Sequence, residues 1–219
     1  AAGECAASVF GANRVAAATM EMLTTGTRAG WSAGQDALEA EQGKPDPGQE
    51  EELLFRALAP LARREGLNVV EVRKRFQEQN QTMLGPVRTQ AELEAHLDYL
   101  AGLRGNKLTH LRTTLDSPAY NKEWIETLDL ANMALTIEAC TEAALARTES
   151  RGVHYREDHP IVDNEAWLKQ VLVNQEDGKL VTHTRLVDTR HLAPPEGRHD
   201  YMAFTKTMMQ AHSDVGGHH

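Results

Sequence analysis

Two stretches of this chain hold side chains whose types and spacing suit chemistry. The first is Gly3-Glu4-Cys5-Ala6-Ala7-Ser8-Val9-Phe10-Gly11-Ala12-Asn13-Arg14. Gly11 permits a tight turn. Arg14 offers a planar fork that holds a carboxylate through two hydrogen bonds. The small-residue helix expected to follow adds the positive end of its dipole, so the stretch reads as an anion site. Glu4 has the chemistry to accept two ribose hydroxyls. The competing reading of Arg14 is an arginine in a structural salt bridge. The second stretch is Glu149-Ser150-Arg151-Gly152-Val153-His154-Tyr155-Arg156-Glu157-Asp158-His159-Pro160. It is densely charged and closes a long predicted helix, with Ser150 and Gly152 marking the exit turn. A functional cluster and a charged helix terminus with local ion pairs are equal readings of it.

No other motif is complete. The chain lacks a Gly-x-Gly-x-x-Gly run, a P-loop, His-Glu-x-x-His and Cys-x-x-Cys. Its 10 histidines are scattered, and His154 with His159 is not a ligand spacing, so no metal site is expected. The two cysteines, Cys5 and Cys140, stand far apart and fit a reducing compartment.

The elements that must position these residues follow from pattern. Residues 15–40 read as a helix rich in Ala, Met and Leu, with Gly26, Gly30 and Gly34 on one face. Three glycines in register suggest a second backbone packed closely there; a helix end that frays near Gly34 is the alternative. Glu-Gln-Gly-Lys-Pro-Asp-Pro-Gly-Gln-Glu-Glu reads as a linker. Residues 51–64 follow as a helix with Leu53, Leu54, Leu58 and Leu61 near helical period and Pro60 as a kink. Gly66-Leu67-Asn68 is a stop and a fresh cap for 69–83, whose expected core face is Val70, Val72 and Phe76. Gly85-Pro86 ends that helix. Thr89-Gln90-Ala91-Glu92 is a capping box, and Leu93, Leu97, Leu100 and Leu103 mark the stripe after it. The longest helix spans 121–149, about 40 Å at 1.5 Å per residue. Its expected apolar face is Trp124, Leu128, Ala131, Ala134, Ile137, Ala144 and Leu145. Residues 167–173 and 180–187 are β-rich and flank Asp177-Gly178, a strong hairpin signal. A lone hairpin is marginal in water and needs the bundle or a partner to cover a face. An extended tail from His191 and a short helix at 202–210 close the chain. The fold class is thus mainly α: an antiparallel bundle of three to four helices with a small C-terminal β-hairpin.

Composition sets the class. Of 219 residues, 41% are hydrophobic, which is enough for most of the chain to fold. The formal net charge of −9, from 23 basic and 32 acidic residues, argues against nucleic acid as a partner. No apolar run approaches the roughly 18 residues of a membrane span, and no targeting segment is visible at the start.

Taken together, the two charged stretches resemble the flavoprotein subunit of the succinate dehydrogenase and fumarate reductase family. The first is similar to that family's Gly-Glu-…-His-Gly-Ala-Asn-Arg-Leu-Gly-Gly-Asn-Ser-Leu segment, with Phe10 in place of the His and Ala16-Ala17-Ala18-Thr19 in place of Gly-Gly-Asn-Ser. The second resembles its Glu-Ser-Arg-Gly-x-His-x-Arg-x-Asp segment. Leu128-Asp129-Leu130-Ala131-Asn132, Glu165-Ala166-Trp167-Leu168-Lys169 and Leu192-Ala193-Pro194-Pro195 fit further family motifs in the same order. L-aspartate oxidase is a weaker match.

The resemblance implies an enzyme that passes a hydride between a dicarboxylate and FAD and sends electrons on to an iron–sulfur subunit. It implies that Arg14 binds a substrate carboxylate, that Glu4 contacts the FAD ribose, and that Thr19 and Met20 meet the flavin at a helix N-terminus. It divides the chain into the C-terminal edge of an FAD-binding domain (1–41), a linker (42–51), a helical domain with its hairpin (52–201) and a tail (202–219). The remaining partners it implies are N-terminal FAD-binding and capping domains and a dicarboxylate substrate, without nucleic acid or a direct membrane span. The location it implies is cytoplasmic, peripheral at the inner membrane through partner subunits. The expectation is a C-terminal portion of a larger protein, inactive alone. The rival is a non-catalytic helical interaction module.

Overall fold

The computed structural model describes residues 2, 18–41, 43–190 and 194–215. Six α-helices lie among them: α1 (Ala18–Glu39), α2 (Pro47–Ala62), α3 (Val69–Met83), α4 (Gln90–Gly102), α5 (Lys122–Ala146) and α6 (Tyr201–Val215). The strands are short and pair two by two. β1 (Leu67–Asn68) runs parallel to β3 (Leu111–Arg112), and β2 (Val87–Arg88) parallel to β4 (Tyr155–Arg156). β5 (Ile161–Asp163) pairs antiparallel with β8 (Arg198–Asp200), and β6 (Lys169–Glu176) with β7 (Lys179–Leu186). The protein is a helical bundle with small sheets at its margin, as the pattern predicts.

The caps fix where the helices start. The Asn68 side chain accepts from the Val70 and Glu71 amides, and Asn121 from that of Trp124. Thr89 and Glu92 close a reciprocal capping box at the head of α4. At α2 the structure corrects the linker expected over 42–51. Asp46 accepts from Gly48 N at 2.9 Å and Pro47 occupies the first helical position. A proline there gives up an N–H that has no intrahelical partner anyway. Pro-Asp-Pro is therefore a helix start here. Pro60 sits inside α2, and its carbonyl takes both the amide and the hydroxyl of Thr113 at 3.2 and 3.3 Å.

The core lies between α3, α4, the segment after α4, and α5. Val69, Phe76, Leu100, Leu103, Leu111, Leu130 and Ala134 are buried together. Two expected faces hold in part: Val72, Phe76, Ala134, Ile137 and Ala144 lie at or against the interior, and other members do not. In α3 the inward residue is Val69, two turns before Phe76, while Val70 is exposed. In α5 the buried set is Thr127, Leu130, Ala134, Thr141 and Ala144, and Ala131 is exposed. That helix ends at Ala146. A π-helical turn over Leu103–Lys107 re-aims the chain so that Leu103 and Leu111 both point inward. Gly66, at φ +150, lets the chain pass close to His110; a Cβ there would lie 2.4 Å from the His110 carbonyl oxygen.

The hairpin forms at Asp177-Gly178, both with positive φ (+48 and +79), the signature of a type I′ turn. It lies against α5, which answers the need for cover. The short helix expected at 202–210 runs longer, as α6, and occupies most of the expected tail. Gly26, Gly30 and Gly34 all fall within α1, which continues to Glu39 without fraying at Gly34. A Cβ at any of the three would meet nothing within 4 Å among the described residues. The close backbone expected there is not present among them. α1 exposes Met20, Leu23, Trp31 and Leu38, and α2 exposes Leu53, Leu54 and Phe55. Of the leucines at helical period in α2, only Leu61, beside Pro60, is buried.

Candidate functional site

Of the four residues singled out in the opening stretch, Glu4 and Arg14 lie outside the described residues. Thr19 and Met20 stand exposed in the first turn of α1. That turn carries backbone N–H groups without intrahelical partners and the positive end of the dipole of a 22-residue helix. A helix N-terminus of this kind suits negative charge.

The second stretch is fully described, and it forms a buried clasp. Glu149, Ser150 and Arg156 are wholly buried. Arg156 is the hub. Its Nε and Nη2 donate to Asp158 Oδ1 and Oδ2, both at 2.7 Å, a bidentate pair. Its Nη1 reaches the carbonyls of Ala144, Leu145 and Arg147 at 3.1, 3.3 and 3.4 Å. A guanidinium thereby caps the negative end of α5. Asp158 in turn accepts from Gln90 N at 2.9 Å, at the positive end of α4. One ion pair joins the tail of one helix to the head of another. The Arg156 guanidinium holds the Asp158 carboxyl well below the usual carboxylate range.

Glu149 organises the other half. Arg151 grips it through Nε and Nη2 at 2.8 and 2.9 Å, Arg147 Nη1 adds a third bond, and the Asp163 amide donates at 2.8 Å. Arg147 also donates to the carbonyls of Trp167 and Lys169, with its guanidinium 5.0 Å from the Trp167 ring. Arg151 extends to Asn164 Oδ1 at 2.7 Å. The hairpin is thus tied to the end of α5 through the Arg147 guanidinium, which Glu149 holds in place.

His154 lies between these halves. Arg88 Nη1 donates to its Nδ1 at 2.8 Å, and its Nε2 faces the Arg147 carbonyl at 3.3 Å. Burial first, then the charge of Arg88, and further the charges of Arg147 and Arg156, push its pKa down to about 4. Arg88 is itself lowered by burial, as is Arg147. Cys140 is free and at the surface, and burial of its sulfur pushes the thiol up. No group of His, Cys, Asp and Glu among the described residues has the geometry of a metal site.

The two readings of this stretch therefore resolve toward local ion pairs, but of a kind the sequence did not expose. Glu149 and Arg156 are buried within them, and Asp158 also accepts from a backbone amide 68 positions away. Arg88, whose partner is His154, carried no local signal. Among the described residues no helix is long and apolar enough to cross a membrane.

The comparisons with known proteins agree with this architecture. The family model described as fumarate reductase flavoprotein C-term matches residues 73–200, more than half of the chain and all of the clasp. The CoM/CoB fumarate reductase of Methanothermobacter marburgensis has a polypeptide that is 32% identical over 176 residues, covering 80% of this chain and 31% of that protein. The succinate dehydrogenase flavoprotein subunit of Coxiella burnetii is 32% identical over 177 residues, with coverage of 78% and 30%. Among solved structures, an E. coli quinol fumarate reductase chain aligns with a TM-score of 0.72 at 26% identity, over 82% of this chain and 31% of that one. Mycobacterium smegmatis Sdh1 aligns at 0.70 and 28% identity, over 78% and 29%. The chain spans about a third of the length of these relatives. With its capped helices, its hairpin against α5 and its Glu-Ser-Arg-Gly clasp inside the matched span, this chain belongs to the succinate dehydrogenase and fumarate reductase flavoprotein family, through that subunit's C-terminal domain.

Proposed function

We propose that this chain is the C-terminal portion of an FAD-dependent enzyme that interconverts a dicarboxylate and its unsaturated counterpart. The observation that carries the reading is the family match over 73–200 on a fold that aligns at a TM-score of 0.72. FAD, held by the enzyme as a whole, supplies the hydride acceptor or donor. The chain's own residues bind and orient. Arg14 holds one substrate carboxylate in its planar fork. Glu4 accepts the ribose hydroxyls. Thr19 and Met20 present the first-turn amides of α1 to negative charge that develops at the ring.

The helical domain serves as a buttress. Its exposed apolar residues support this role. Leu53, Leu54 and Phe55 on α2 and Met20, Leu23 and Trp31 on α1 are side chains that a flavin-binding and capping domain would cover. Electrons continue to an iron–sulfur subunit, and partner subunits hold the enzyme at the membrane. Alone, the 219 residues lack the phosphate loop and general acid such chemistry needs, and they neither hold FAD nor turn over a dicarboxylate.

The test has two parts. The purified chain is incubated with FAD, succinate and an electron acceptor; neither bound flavin nor turnover is expected. The polypeptide that carries this sequence in its native source is then isolated and sized. A flavin-containing polypeptide roughly three times as long, from the 31% coverage, supports the proposal. A native polypeptide of 219 residues without flavin overturns it in favour of an interaction module.

A further inference from the structure

The clasp contains more positive than negative charge. Arg147, Arg151 and Arg156 bind two carboxylates there, Glu149 and Asp158, while Arg88 bonds to His154. His154 is placed in the middle of three of these cations. From β2 it faces Arg88, from the end of α5 it faces Arg147, and from its own strand-forming segment it faces Arg156. Cys140, on α5, acts on Arg88 from the far side, Asp158 lies beyond Arg156, and Glu149 lies beyond Arg147.

The hydrogen bonds fix the form of the ring. A guanidinium only donates. The 2.8 Å contact from Arg88 Nη1 therefore requires a lone pair on Nδ1. The proton must sit on Nε2, where the Arg147 carbonyl receives it at 3.3 Å. The protonated ring has no lone pair for Arg88, and it would set a fifth cation among the four.

We infer that His154 is the positioning residue of the clasp, that it works only as the neutral Nε2–H imidazole, and that proton uptake there opens the clasp. Opening frees Arg88 first. Arg88 pairs with Arg156 in the β2–β4 ladder, and its carbonyl accepts from Glu157 N at 2.9 Å. The ladder delivers Asp158 to the head of α4. A proton on one ring thus loosens the link between α4 and α5. The direction follows from linkage: the folded ring binds a proton less readily than the unfolded one. The His154 contribution is fully present above its unfolded value of about 6.5 and is lost as pH falls toward about 4.

The test uses the whole 219-residue chain. Histidine-labelled protein is followed by nitrogen-detected NMR from pH 7 to 5, with H154Q identifying the signal. Gln is chosen because its amide oxygen accepts from Arg88 while its N–H₂ donates to Arg147, with no proton to take up. The expected signature is an Nε2–H tautomer that persists to pH 5. Urea unfolding of both proteins between pH 7 and 4 gives the second readout. The wild-type folding constant should fall on the order of 100-fold more than that of H154Q by pH 4. An Nδ1–H tautomer, titration near 6.5, or parallel pH profiles in the two proteins would each overturn the inference. The tautomer measurement stands on wild-type protein even if the variant fails to fold.

Discussion

Replacing Arg156 with Met removes the hub of the clasp while keeping much of its volume. Two charge-assisted bonds to Asp158 at 2.7 Å disappear, and three carbonyls at the end of α5 lose their donor. Removing one partner of a buried pair costs about 3–5 kcal/mol. Two features set the position in that range. Asp158 is partly solvated, with a side chain 29% exposed, so water re-covers the orphaned carboxylate and lowers the cost. The carbonyl of Ala144 is buried and has no such recourse. The expected loss is about 3–4 kcal/mol, which for a domain of this size lowers the melting temperature by roughly 6–16 °C. R156K restores charge but not the fork and should recover less than half of the loss. Calorimetry and urea unfolding measure both variants. Hydrogen exchange adds the local readout, because the Gln90 amide, bonded to Asp158 in the wild type, should lose protection. A melting shift under about 2 °C for R156M, or full recovery by R156K, would refute the assignment of Arg156 as the joint between the helices.

Other expectations follow from single contacts. Phe76→Ala empties the centre of the core and should cost about 3–5 kcal/mol in urea unfolding. Thr89→Ala removes half of the capping box at α4 and should cost about 1 kcal/mol, with Thr89→Ser close to wild type by the same measurement. Asp158→Asn should flatten stability below about pH 4, because the depressed carboxyl contributes above its unfolded pKa and loses that contribution as pH falls. Acid-unfolding curves of the two proteins that superimpose would contradict this.

Local chemistry was the legible part of the sequence. Asn68 and Thr89 announced their helices because a cap needs only a side-chain acceptor two or three residues before its amides. Asp177-Gly178 announced the hairpin because a two-residue turn needs only neighbours that tolerate positive φ. Pro47 was the exception among local signals, since proline marks both linkers and first helical positions. What escaped was non-local. The parallel ladders β1–β3 and β2–β4 join residues 44 and 68 positions apart, at two residues each, and leave no periodicity. The burial of Arg156 escaped too, because a charged residue at a helix exit reads as solvated unless its partners are known. The helix faces shifted for a related reason. Thr127 and Thr141 fill inward positions of α5 that an apolar count passes over; each returns its hydroxyl to a carbonyl of its own helix, and Thr141 also meets His96. For the opening stretch, family motifs named Glu4, Arg14, Thr19 and Met20, whereas local physics alone left Arg14 between an anion site and a salt bridge.

The joint at Arg156 also bears on how fast the domain comes apart. Arg156 bonds to near neighbours in the chain, but the β2–β4 ladder and the Gln90–Asp158 bond that it supports join segments 68 positions apart. Contacts of long sequence separation around a polar hub tend to form after the transition state for folding. Interactions made that late leave the folding rate nearly unchanged and act almost wholly on the rate of unfolding. The clasp is therefore placed to lengthen the lifetime of the folded domain, which governs its survival when protease is abundant enough to cleave each opening before it recloses.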